Sequence, residues 1–154
     1  MILLIGYGNP LRRDDGAGPA LAGMLEARGG RNDLRVITVH QLVPELAQDL
    51  AAVDVTAVLF LNASVSGCTG CAAVTIQPLG GVRPLPPPVF GHQFSPAELH
   101  CYAELLRGTV LPAWQITIPG VDFGYGEGLS LTSEKNLTAA FENLQVFLRK
   151  IPLQ

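Results

Sequence analysis

Two runs of apolar residues limit this chain to one class of fold. MILLI at 1–5 and VTAVLFL at 55–61 are almost unbroken, whereas a strand with one wet face would alternate apolar and polar residues. An unbroken run suits a strand buried on both faces, and such burial calls for helices packed on both sides of a parallel sheet.

The rest of the chain supplies those helices at regular intervals. After MILLIGYG, a helix can begin at Gly18 with Pro19 in its first turn, carry Leu21, Met24 and Leu25 on one face, and stop at Gly29-Gly30. LRVITVH reads as a second strand. Pro44 opens a short helix with Leu46, Ala47 and Leu50 inward, and VTAVLFLNAS follows as the third and most apolar strand. CAAVTIQPL reads as a fourth strand, after which GGVRPLPPPVFGH is held extended by its prolines. Ser95, Pro96 and Glu98 form a capping-box helix start, with Leu99, Tyr102, Ala103 and Leu106 at helical spacing up to Gly108. AWQITIPG is the fifth strand. A last helix spans about Ser133 to Arg149, striped by Leu137, Ala140, Phe141, Leu144, Phe147 and Leu148. The expectation is an α/β fold over 1–154: a single-domain three-layer sandwich, about five-stranded and mostly parallel, with helices on both faces.

Composition narrows the function. A formal charge of −3 argues against attraction to nucleic acid or an anionic membrane, so a protein or small-molecule partner is expected. Met1 to Ile5 is too short for a signal peptide or a span, which suggests a cytoplasmic protein. Cys68, Cys71 and Cys101 are an odd set that suits reduced thiols, and the lone GCTGC pair has no second pair to complete a zinc site.

In open α/β sheets, ligand sites gather at the carboxyl ends of the strands. Asp14 and Asp15 follow strand one there, Asn62 and Ser64 end strand three, and His92 lies beyond strand four. Gly6-x-Gly8 after a strand invites a dinucleotide reading, but the third glycine is missing and Pro10 interrupts the turn; tight-turn glycines fit better. His40 and His100 read as hydrogen-bonded structural histidines. An imidazole and a carboxylate at converging strand ends match the ligands that nickel or zinc accepts. One aspartate suffices to cap a helix, so the second acid of DDG asks for another role.

GYGNPLRRDDGAG, HQLVPELA, LNASVSG, GHQFSPAELH and FGYGEGLS resemble, in order and spacing, the hydrogenase maturation endopeptidases, over nearly the whole chain. The resemblance implies an α/β fold and an endopeptidase that removes a C-terminal extension from the large-subunit precursor of a nickel-iron hydrogenase. It implies nickel supplied by that substrate, and metal-contacting, catalytic positions at Asp15, Asn62 and His92. The family has an aspartate where this chain has Asn62, and an amide carries no charge and cannot act as a general base. The alternative is therefore a noncatalytic checkpoint or binding protein of the same fold. Asp14 takes the structural part, as a cap or a partner of Arg12 or Arg13, while Asp15 points into the cleft. No Ser-His-Asp or Cys-His arrangement suggests a covalent nucleophile. A monomer is expected, with no nucleic-acid or membrane partner.

Overall fold

A computed structural model describes residues 1–29, 31–65, 73–80 and 94–151. The two apolar runs become the neighbouring strands β1 (Ile2–Tyr7) and β3 (Ala57–Val65), and Ile2 to Ile5 and Ala57 to Leu61 are buried. With β2 (Leu34–Val39), β4 (Thr75–Leu79) and β5 (Ala113–Gly120) they form one sheet in the order β2-β1-β3-β5-β4.

Strand alternation divides the core into two. Ile2, Leu4, Leu59, Leu61, Ile116 and Ile118 pack under α1 (Ala17–Arg28) and α4 (Leu131–Leu148), while Leu3, Ile5, Val58, Phe60 and Ala113 pack under α2 (Leu46–Ala51) and α3 (Pro96–Arg107). A residue and its successor on these strands therefore serve opposite layers, which is why the runs cannot alternate in polarity. The expected three-layer sandwich, mostly parallel and five-stranded, is what is observed.

β1, β2, β3 and β5 are parallel, and β4 runs antiparallel along β5 at the sheet edge. Only residues 66–74 separate β3 from β4. A parallel return needs a crossover of about a dozen residues or more, so a link this short sends the chain back antiparallel. β4 spans 75–79, shorter than CAAVTIQPL, and Pro78 is tolerated there because an edge strand has one unpaired side.

The helix signals act where the sequence places them. Ser95 Oγ accepts the Glu98 N–H while the Glu98 carboxylate accepts the Ser95 N–H, and Gly108 closes α3 in the left-handed conformation (φ 73°). Before α1 the chain makes one 3-10 turn (Arg13–Gly16), so the helix entry carries both acids of DDG. Among the described residues no helix is long and apolar enough to cross a membrane.

Candidate functional site at the carboxyl edge of the sheet

β1 stops at Tyr7 because the chain must fold back sharply over the strand end. Gly8 has φ 140°, and a Cβ there would overlap the carbonyl oxygen of Asp15. Gly18, in the first turn of α1, lies against the Tyr7 carbonyl and the Asn62 Cα, leaving no room for a side chain. The glycines of this segment thus press the 3-10 turn onto the ends of β1 and β3, the tight-turn role expected of GYG.

The two aspartates of the turn have different fates. Asp14 is fully buried. Its Oδ2 accepts the N–H groups of Val121 (2.8 Å) and Asp122 (2.9 Å) and the Ser130 hydroxyl (2.7 Å), and its Oδ1 accepts the Ser130 N–H (2.7 Å). Burial pushes this carboxyl up, but the N–H groups of Ser130, Val121 and Asp122 and the Ser130 hydroxyl outweigh it and hold it below its ordinary value. Ser130 also caps α4, accepting the Ser133 N–H at 3.1 Å, so one carboxylate ties the entry of α1 to the entry of α4. The structural role expected for Asp14 stands, but its partners are not arginines. Arg13 pairs with Asp122 at 3.5 Å, and Arg12 donates to the Phe123 carbonyl at 3.2 Å.

Asp15 is half-buried. Its Oδ2 accepts the Asn9 N–H at 2.8 Å, the one hydrogen bond of its carboxylate among the described residues. Its charge reaches Tyr7: burial first, and the Asp15 carboxylate second, push the Tyr7 phenol up to about 12. Tyr7 belongs to the layer of Leu3 and Ile5, on the side of α2 and α3.

Asn62 is the residue after Leu61, which pairs with Gly6, and Tyr7 is the residue after Gly6. By strand alternation Asn62 shares the face of Val58 and Phe60, so it and Tyr7 stand at neighbouring strand ends on one face. Its Oδ1 accepts from Gln115 Nε2 (3.2 Å) and Thr117 Oγ1 (3.4 Å), and its Nδ2 donates to the Ala63 carbonyl (3.1 Å). Ser64 is exposed two residues further on.

The turn that bears Asp15 and the strand that bears Asn62 are therefore packed together, and the Asp15 charge reaches Tyr7 on the strand beside it. His92, Cys68 and Cys71 lie outside the described residues. Among the described residues no three His, Cys, Asp or Glu side chains form a metal-binding group. Among the described residues no donor meets the second carboxylate oxygen of Asp15, as a ligand position needs, whereas the Asn62 oxygen is occupied by two side-chain donors. His100 is a buried structural histidine whose Nε2 donates to the Leu111 carbonyl (2.6 Å), as expected; His40 differs in being exposed beyond β2.

Solved structures share this arrangement of strands and helices. HybD, a hydrogenase maturating endopeptidase from E. coli, superposes with a TM-score of 0.76 at 22% identity, covering 97% of this chain and 92% of that one. HycI, a nickel-iron hydrogenase maturation protease from Thermococcus kodakarensis, gives 0.73 at 19% identity with the same coverage. A hydrogenase 2 maturation peptidase from a Thaumarchaeota archaeon gives 0.68 at 20%, covering 96% and 97%. This chain has the hydrogenase maturation protease fold. No protein-family model matches its sequence, and no curated protein does.

Within the hydrogenase maturation protease fold of this chain, three contributors at the carboxyl edge escaped sequence reasoning. Tyr7 was hidden inside GYG, where the glycines drew attention. Gln115 and Thr117 sit in AWQITIPG, whose polar residues at alternate positions did signal that one face of β5 is not purely apolar, but not what they hold.

Proposed function

We propose that this protein is an endopeptidase that removes the C-terminal extension of a nickel-iron hydrogenase large-subunit precursor after nickel insertion. The observation that carries the reading is the contrast within DDG: Asp14 spends its carboxylate on the fold, while Asp15 has an oxygen that accepts no hydrogen bond from the described residues. The fold shared with maturation proteases and the motif resemblance support the same activity. The substrate's nickel is held by Asp15 and His92, with Asn62 as a weakened third contact, and serves to orient the precursor near the bond to be cut. An amide takes no proton at neutral pH, so proton transfer falls to Asp15 or His92.

A specific observation favours a second reading, a noncatalytic protein that binds the nickel-loaded precursor. The Asn62 amide oxygen accepts from Gln115 and Thr117 and its nitrogen donates to the Ala63 carbonyl, a structural network that holds the amide without a metal. Incubation with nickel-loaded precursor, followed by mass spectrometry and size-exclusion chromatography, separates the two. Release of the extension supports the endopeptidase, and a stable uncut complex supports the binding protein. Failure both to bind and to cut rejects both.

A further inference from the structure

The surface beside the Asp15 turn joins Arg12, a cation with no carboxylate partner among the described residues, to exposed apolar side chains. Leu11 is 53% exposed and Tyr125 91% exposed. The backbone brings them together: the Gly126 N–H donates to the Leu11 carbonyl (2.9 Å), the Arg13 N–H donates to the Gly126 carbonyl (3.1 Å), and Arg12 forms a parallel bridge with Gly126. The two arginines between Leu11 and Asp14 are used differently. Arg13 is neutralised by Asp122 and lies over Gly126. Arg12 is exposed and spends one donor on the Phe123 carbonyl; no carboxylate pairs with it among the described residues, which include every Asp and Glu of the chain.

We infer that Leu11, Arg12 and Tyr125 form the docking surface for the folded body of the substrate protein, which presents a carboxylate to Arg12 and an apolar side chain to Leu11 and Tyr125. This rests on the proposed function, because it concerns the partner of that same site. Three observations select this occupant. Arg12 is joined directly to the candidate site, its carbonyl accepting the Asp15 N–H at 3.2 Å, so a protein whose tail reaches Asp15 must lie close to it. The guanidinium donors that meet no acceptor among the described residues are a fork suited to a carboxylate, on a chain whose overall charge is negative. The patch is held by the backbone bonds above and by the Asp14 contacts beneath, so little ordering cost falls on binding. Arginine and tyrosine are also the side chains that most often dominate protein interfaces. Leu105, Leu106 and Val110 are exposed too, but at the opposite edge of the sheet, where α3 ends and β5 begins, away from Asp15.

The test compares wild type with Arg12→Glu and with Tyr125→Ser, using intact nickel-loaded precursor. Binding is followed by biolayer interferometry, processing by mass spectrometry and oligomeric state by light scattering. The expected result is a rise in Kd and KM of about tenfold or more for Arg12→Glu, and a smaller rise for Tyr125→Ser, with the loss falling on KM rather than kcat. Should Arg12→Glu fail to fold, Tyr125→Ser still decides, since its side chain is almost wholly in solvent. If wild type processes precursor and the variants do so with unchanged KM and Kd, the docking surface is wrong and the proposed function stands. If the substitutions instead convert a dimer to a monomer without altering precursor binding, the occupant is a second copy and the inference is overturned. If wild type neither binds nor processes the precursor, the proposed function fails and this inference with it.

Discussion

The Asp14 knot and the rim formed by Asp15 and Asn62 are built from the same short stretch of sheet edge, yet they handle polar groups in opposite ways. In the knot a buried carboxylate takes four donors and is chemically spent. At the rim, Asp15 takes one backbone donor in a half-exposed position, and Asn62 is held by bonds of 3.1 Å and longer. A fixed frame and an available group need different solvation, and adjacent residues in one 3-10 turn achieve it by facing different elements.

The largest effect should come from breaking the knot. Asp14→Ala leaves three partly buried N–H groups without their acceptor and should cost about 3 kcal/mol, read by urea denaturation. Because the folded Asp14 carboxyl is held below its ordinary value, its stabilisation is complete above the unfolded pKa of about 3.9 and is lost as pH falls through the lower folded value. Wild type should therefore lose stability below about pH 4 along a steeper slope than Asp14→Asn. Equal slopes would show that the knot does not govern acid stability.

A smaller effect should follow Asn62→Asp. The new carboxylate replaces an N–H donor with an acceptor facing the Ala63 carbonyl, and adds a charge near Asp15. Metal-free stability should fall by about 1 kcal/mol. Nickel should bind about 10 to 100-fold tighter and restore the loss, giving a larger thermal shift than in wild type. A variant that is less stable but binds nickel no better would make Asn62 purely structural and erase half of the contrast.

Asp15→Asn should change stability least among the rim and knot substitutions, by about 0.5 kcal/mol, because an amide oxygen can still accept the Asn9 N–H. Processing of precursor should nonetheless be abolished, measured by mass spectrometry. Retained processing would move the chemistry elsewhere. The same substitution removes the negative charge near Tyr7, whose phenol is pushed up to about 12 by burial and, second, by Asp15. Phenolate absorbance during an alkaline titration should show a modest fall in the highest tyrosine pKa. In wild type the Tyr7 contribution to stability is full below pH 10 and declines as pH rises toward 12, because the unfolded phenol ionises first.

Local chemistry was sufficient for most of the fold. The unbroken apolar runs imply β1 and β3 buried between two layers, the Ser95 to Glu98 capping box and Gly108 bound α3, and the 3.6-residue stripe of Leu137, Ala140, Leu144 and Leu148 marks α4. These features depend on neighbours within a few residues, so the sequence displays both partners of each interaction. The same holds for the tight turn at Gly8, and for the contrast between one aspartate needed as structure and one left over.

What tertiary structure alone decided is who meets whom across long separations. β4 is antiparallel because a nine-residue link cannot cross the sheet, a limit that applies only once β5 has been inserted between β3 and β4. Asp14 looked like a cap or an arginine partner, and became the acceptor for groups 107 to 116 residues away. Asn62 found Gln115 and Thr117 through the β3–β5 register, 53 and 55 residues away. Residue type states what a polar group needs when it is buried, but its partner is whichever element the packed sheet and helices bring within hydrogen-bonding distance, and no local pattern records that choice.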